Sequence, residues 1–562
     1  MYKLLNKILN MSQLRSYKLL AFILFFIILS LFDIVGITII TPFIEIAFNK
    51  DFTLFQNLFG FLEINLNNKN LIIYFGIIIC LIFLIKLLLY VLCNYLIFNH
   101  CFNNGTFLRI NLLKKYFYNI DENLNKYSNS DLIYRITNLV ANFSQGFVLN
   151  LLKVLSEIIV GISILILLAI VNFKILSISF LILIVVFFVF DFAFNSKLKS
   201  YGLRSNTSQK NMVNTIKESV MGSKEISILG AEKYFVDKIN FNSINYARLN
   251  IYHHLISGLP RYLLELIIMS LLIISILITI SFNENPINNI STFSMFGIAA
   301  LRLAPCATQI IRGITNIKFS INSVDQLYEI YNSNINDFNK LKKNNQSFQS
   351  LNIKNLKFYY NKPDIIFEDL NFSISKGEKV CIIGKSGSGK TTLLDILMGF
   401  TKVQEGNFYY NNNFISDQNL KLYRNIFSYI PQGFFIIKGT LFENISFDNY
   451  YKDTQINNVL EQTNLNQTRF YSNPELDEEG TNISGGQKQR ISLARSFYFN
   501  RDIIILDEST NALDEDTEKE ILDNLLLIKK KLTLIMVAHK IKSFDYFDKV
   551  YEIKDKKLIK IK

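Results

Sequence analysis

The chain has 562 residues, of which 50% are hydrophobic, 14% aromatic and 19% charged, which is too apolar and too poor in charge for a disordered protein. Five cysteines exclude a disulfide scaffold, and Cys80, Cys93, Cys101, Cys306 and Cys381 show no CxxC or Cys/His metal spacing, so they read as reduced thiols. The net charge of +13 sits almost wholly in residues 1–346, with 30 Lys+Arg against 18 Asp+Glu, while residues 347–562 hold 29 against 28; a basic apolar half suits anionic lipid, and no nucleic-acid motif is present.

Long apolar runs dominate the first half. Leu19–Ile46 is broken by Asp33, Leu71–Phe98 by Lys86, and Val154–Phe190 holds two runs divided at Asn172–Lys174; Leu263–Ile280 and Phe293–Ile311 follow. About 20 apolar residues cross a bilayer, so residues 1–330 are expected to form an all-α transmembrane domain of six helices. With the N-terminus cytoplasmic, segments 1–18, 109–135 and 197–248 face inward and hold 4, 5 and 9 Lys+Arg, against Lys50, Lys69 and Lys174 outside. The first run has no small-residue cleavage pattern and reads as a spanning helix. Both long inner loops keep helical periodicity, so their helices are expected to extend past the membrane. Residues 331–350 are polar and read as a linker.

Ionisable residues interrupt the apolar runs: Asp33, Lys86, Glu157, Asp191, Glu265 and Arg302. Such groups are costly in lipid and usually face an interior cavity. At the helical rise, Arg302 falls roughly 16 Å from the outer start of its helix, Lys86 about 25 Å, and Arg261 and Arg312 about 30 Å. Lys86, Arg261 and Arg302 are therefore candidate substrate-cavity residues that would attract a phosphate or pyrophosphate headgroup. For Lys86 and Arg261 anchoring at the inner interface stands equally open, and Asp33 weakens the reading if it lines the same cavity.

Residues 351–562 alternate β-branched runs with helical ones, the pattern of an α/β domain. Lys379–Ile383, Asp502–Leu506 and Leu532–Val537 read as strands. Gly384-Lys385-Ser386-Gly387-Ser388-Gly389-Lys390-Thr391-Thr392 follows a strand and opens a helix, the context of a phosphate-binding loop. Its glycines let backbone N–H groups surround phosphates, Lys390 adds a point charge, and the Thr391 hydroxyl can hold Mg²⁺. Asp507 and Glu508 end a hydrophobic strand, where one carboxylate can order Mg²⁺ and the other polarise an attacking water. Ser484-Gly485-Gly486-Gln487 is a second anion-binding helix start. One nucleotide already fills its own glycine loop, so this second turn suggests that another subunit's nucleotide is clamped here.

On these residues the chain resembles ATP-binding-cassette exporters of the half-transporter type, over its full length. The fold so implied is a six-helix transmembrane domain (1–330) followed by an α/β P-loop ATPase domain (351–562), acting as a homodimer or with a related half-transporter, with ATP and Mg²⁺ as cofactors. The resemblance makes Ser484–Gln487 the signature motif, Asp507 the Mg²⁺ aspartate and Glu508 the catalytic glutamate. It makes Gln432 a loop glutamine sensing Mg²⁺ and water, His539 the switch histidine on the γ-phosphate, and Tyr360 the aromatic stacked on adenine. Asn511–Asp514 matches the loop crossing the dimer interface, and Glu479-Gly480 the segment touching the coupling helices. Asn511 and Lys540 stand where Ser and Arg are commoner, and neither removes a catalytic group.

Asp33-Ile-Val-Gly, Gly222-Ser-Lys-Glu225, Leu259-Pro260-Arg261-Tyr262 and Ala299-Ala-Leu-Arg302-Leu-Ala-Pro305 are similar to lipid-linked oligosaccharide flippases of bacterial glycosylation pathways. That likeness implies a multi-pass protein of the bacterial cytoplasmic (inner) membrane, with N-terminus and ATPase domain cytoplasmic. It also implies an amphipathic substrate such as a polyprenyl-pyrophosphate glycan. The competing readings are an exporter of peptides or hydrophobic drugs and an ATPase acting as regulator or channel without pumping.

Overall fold

The computed structural model describes residues 2–49, 68–118, 128–171, 173–281, 290–332, 347–360, 364–401, 403–415, 423–448, 453–468, 475–507, 532–538 and 544–562. The chain divides into two compact units, with the boundary between Ile335 and Asn336.

The first unit is helical throughout. It comprises α1 (Tyr2–Ser12), α2 (Ser16–Asn49), α3 (Asn68–Tyr118), α4 (Asn129–Tyr134), α5 (Leu149–Val171), α6 (Phe173–Met221), α7 (Ser223–Leu229), α8 (Glu232–Ser281) and α9 (Ile290–Tyr331). Each apolar run of the sequence lies on one of the long helices. Among the described residues, Ser16–Ile39, Gly76–Phe117 and Asn129–Ile170 are long and apolar enough to cross a membrane. Many side chains of α6, α8 and α9 in their apolar parts fall outside the description.

Between α4 and α5 the helix continues through two π segments, Arg135–Leu139 and Asn142–Val148. Each wider turn rotates the side chains that follow. Polar ties brace this stretch. Asp131 pairs with Arg135 at 3.0 Å and Lys210 at 2.7 Å. Asn142 donates to Asn206 at 3.3 Å, and Asn206 to Ser323 at 3.4 Å. Met11, Phe26, Leu108, Phe143, Val148 and Val324 bury a common core beside them, so burial holds the helices together where no lipid is needed. Helix α6 approaches α9 so closely that a Cβ at Gly202 would collide with the Phe319 carbonyl.

The second unit has a six-stranded sheet in the order β12-β11-β3-β10-β9-β6, with β11 (Lys549–Lys554) and β12 (Lys557–Lys560) at one edge. The central strands, β3 (Lys379–Gly384), β10 (Thr533–Ala538), β9 (Ile503–Asp507) and β6 (Phe427–Ile430), run parallel. Their continuous β-branched text follows from burial on both faces. On one face Ile503, Ile505, Ile535 and Val537 pack with Leu393 and Leu397 of α10 (Lys390–Leu397). That core also takes in residues of β1 (Ser350–Tyr359) and β2 (Ile365–Ser375). On the other face Ile504, Leu506, Leu534 and Met536 pack against α11 (Leu441–Ser446), α12 (Asp453–Gln462) and α13 (Gly485–Phe499).

Candidate functional site

Parallel strands end together, and ligands of α/β sheets sit beyond their carboxyl ends. The register puts Ala538 beside Ile383, Val537 beside Asp507, and Leu506 beside Ile430. The glycine loop after β3, Asp507 at the tip of β9 and the turn after β6 thus share one edge of the sheet.

The loop is shaped for an anion. Gly387 and Gly389 have φ of +77° and +98°, in the left-handed region. A Cβ on Gly389 would lie 2.9 Å from the Phe367 ring, so no other residue fits. Lys390 is buried, and its Nζ donates to the carbonyls of Gly384 at 3.0 Å and Lys385 at 3.2 Å, arching over the loop. The Ser388 hydroxyl is buried with no hydrogen-bond partner, the kind of orphan a bound phosphate would satisfy. Thr391 opens α10 with the helix N-terminus behind it. Tyr360, just past β1, is half exposed, meets Phe358 edge-on at 4.9 Å and donates to Thr392 Oγ1 at 3.4 Å. Its ring is open to a stacked base.

Asp507 is buried, and the Tyr429 hydroxyl donates to its Oδ2 at 2.9 Å. Asp395 on α10 faces the same carboxylate; burial, and then the charge of Asp507, push its pKa up to about 6. The same two causes hold the Tyr429 phenol well above the usual tyrosine range, so it stays a donor. Gln432 is exposed on the turn two residues beyond β6. Hydroxyl, amide carbonyl and carboxylate are the hard oxygen donors that suit Mg²⁺, so Thr391, Gln432 and Asp507 fit that ion. Glu508, His539 and Asn511–Asp514 lie outside the described residues, Glu508 and His539 directly after the ends of β9 and β10.

Ser484 caps α13 with a reciprocal box: its Oγ accepts from Gln487 N at 3.3 Å, and its own N–H donates to Gln487 Oε1 at 2.9 Å. Ser484 and Gly485 are exposed, and Cβ atoms at Gly485 and Gly486 would meet open space. Among the described residues no hydrogen bond joins this turn to the glycine loop. Arg495, further along α13, donates to the carbonyls of Asn444 at 2.5 Å and Phe435 at 2.6 Å and lies over the Phe447 ring at 4.6 Å. It ties the signature helix to the segment after Gln432. Burial lowers its pKa to about 10. Tyr429, Asp395 and Arg495 were not singled out by motif. Tyr429 had a signal, since it is a strand residue three positions before Gln432.

In the helical unit the sequence places Lys86, Arg261 and Arg302 as basic groups around one vestibule. In the structure two of these cations are paired with carboxylates. Lys86 Nζ lies 2.6 Å from Asp33 Oδ1, and Arg302 lies 3.2 Å from Asp33 Oδ2 and 3.7 Å from Glu157. Two cations thus meet two buried carboxylates on α2, α3, α5 and α9, and their formal charges cancel. Lys86 and Arg302 also share one carboxylate. Arg261 is exposed on α8, next to Pro260, and does not join this group among the described residues.

Comparison with known proteins adds to this geometry. A family model described as ABC transporter transmembrane region matches residues 19–304, and one described as ABC transporter matches residues 367–511. The chain is 28% identical over 457 residues to the ATP-dependent permease MDL1 of Candida albicans, covering 77% of this chain and 65% of that protein. It is 26% identical over 340 residues to the ATP-dependent lipid A-core flippase of Saccharophagus degradans, covering 59% of this chain and 57% of that one. It is 35% identical over 219 residues to the pediocin PA-1 transport/processing ATP-binding protein PedD of Pediococcus acidilactici, covering 37% and 30%. The chain thus spans under two thirds of the length of these relatives. A solved structure titled as a bacterial Atm1-family ABC exporter with ATP bound has the same fold, with a TM-score of 0.80 at 17% identity, covering 97% of this chain and 95% of that one.

Proposed function

Because this chain belongs to the ABC transporter family, we propose that it hydrolyses ATP to export or flip an amphipathic molecule, working as a pair of copies by alternating access. The observation that carries this reading is one sheet edge. It holds an arched lysine, an unsatisfied serine hydroxyl and a buried aspartate around a glycine loop, in a chain that also has helices able to cross a membrane.

In this reading Gly384–Thr392 cradles the phosphates and Tyr360 stacks on the base. Thr391, Gln432 and Asp507 would hold Mg²⁺, which neutralises charge on the β and γ oxygens. Glu508 takes the proton of the water that attacks the γ-phosphorus as the bond to the β-bridging oxygen breaks, and His539 holds the γ-phosphate. The solvent-facing Ser484–Gln487 turn is open to a partner's nucleotide, which supports a dimeric sandwich. Helix α7 buries none of its residues, and Ile228 and Leu229 are among the most exposed apolar side chains. We assign it to docking on the partner's ATPase domain, where it passes closure on to the membrane helices.

For the cargo we favour a lipid-linked oligosaccharide or related glycolipid, in the cytoplasmic membrane of a bacterium. Support comes from the local text around Asp33, Gly222, Pro260 and Arg302 and from a relative named as a lipid A-core flippase. The neutralised Lys86 and Arg302 take away the charge argument for it, and the relative named for pediocin transport keeps peptides as the alternative. Reconstituted protein tests this directly. ATP-dependent translocation of a polyprenyl-pyrophosphate oligosaccharide, with peptides left in place, is expected; movement of peptides alone would overturn the cargo assignment. No nucleotide-dependent movement of either, with steady ATP turnover, would favour the regulator reading.

A further inference from the structure

Tyr429 belongs to no motif in the sequence, yet its hydroxyl donates a hydrogen bond to Asp507. Strand β6 pairs with β9 so that Tyr429 stands beside Ile505. Side chains two apart on a strand share a face, so Asp507 lies diagonally ahead on the face that Tyr429 presents. A phenol is long enough to span that diagonal, and its hydroxyl reaches Oδ2 at 2.9 Å. Shorter hydroxyls could not reach from this position.

The surroundings make this bond consequential. Asp507 is buried, and α10 brings a second carboxyl, Asp395, to the same place. Two carboxyl groups in one site repel, and an unrestrained Asp507 would be free to rotate away. A donor fixed to one oxygen holds the side-chain torsion, as outer partners of metal ligands do. The Tyr429 side chain is 40% exposed and belongs to neither core of this unit, so the hydroxyl is the main thing the position supplies.

We propose that Tyr429 is a positioning residue of the nucleotide site, orienting the Asp507 carboxylate for the divalent ion that accompanies ATP. This rests on the ATPase reading above, in which Asp507 serves that ion.

The test uses the full chain in lipid nanodiscs and Mn²⁺ as the probe. Free Mn²⁺ is followed by electron paramagnetic resonance at saturating ATP, and ATP binding without metal is measured alongside. Tyr429→Phe is expected to weaken Mn²⁺ binding by about tenfold while leaving metal-free ATP affinity and thermal unfolding unchanged. In an Asp507→Asn background the same substitution is expected to have no further effect, because the two groups act as one unit. Equal Mn²⁺ affinity of Tyr429→Phe and the parent, or an equal loss in the Asp507→Asn background, would overturn the positioning role and leave the ATPase reading standing. A parent chain that binds no Mn²⁺ with ATP would overturn both.

Discussion

The two halves of the chain hold their inner cations through different groups. In the α/β half, the Lys390 ammonium donates to two backbone carbonyls of its own glycine loop. In the membrane half, Lys86 and Arg302 are held by Asp33 and Glu157, which cancel their charges. Loop carbonyls orient an ammonium over the loop they belong to, whereas matched carboxylates on other helices tie a cation into the scaffold. The same residue types thus arch over a glycine loop in one half and brace four helices in the other.

Removing each cation or its partner sharpens this contrast. Lys390→Met is expected to have the largest effect, lowering ATP turnover by at least about 100-fold, measured as phosphate release, with the melting temperature unchanged. In the membrane half the expected damage is to stability. Asp33→Asn leaves Lys86 and Arg302 with Glu157 as their remaining carboxylate, at a cost of about 3 kcal/mol, seen as a lower unfolding temperature in detergent. Adding Lys86→Met restores the charge balance and should recover most of that loss. A double variant no better than Asp33→Asn would show that the four groups do not act as a charge-balanced unit.

Smaller effects probe the ATPase half. Arg495→Ala frees the carbonyls of Asn444 and Phe435 and removes the cation from the Phe447 ring. It is expected to cost about 2 kcal/mol and to uncouple the signature helix from the Gln432 turn, read as faster amide exchange near residue 435. Asp395→Asn should stabilise. The folded carboxyl titrates near 6 against 3.8 unfolded, so its ionised form is penalised in the fold. The penalty is full above pH 6, fades as pH falls and vanishes below about pH 4. Because the group is partly exposed, the gain at pH 7.5 without nucleotide or metal is only about 1 kcal/mol. Equal stabilities at pH 7.5 would place no electrostatic burden on Asp395.

The glycine loop, Asp507 and Ser484–Gln487 are legible in the sequence because phosphate binding demands particular residues at fixed spacing on one segment. The strand–loop–helix context around Lys390 follows from burial and periodicity in the same short stretch. The long helices are likewise legible, since apolar length alone dictates them. What distant segments bring together is not. Nothing local to Lys86 tells that Asp33, on the preceding helix, waits for it, or that Arg302 reaches the same carboxylate. Tyr429 was hidden for the same reason: its meaning lies in the register of β6 against β9. Ser484 was read as an anion site, and its capping box with Gln487 holds that turn in shape.

Glu508→Gln, given ATP and Mg²⁺ in nanodiscs holding two copies, tests the central claim most directly through the nucleotide retained after gel filtration. The account expects turnover to fall at least about 100-fold, with unhydrolysed ATP held between paired ATPase domains. Turnover at the parent rate with no ATP retained would contradict it.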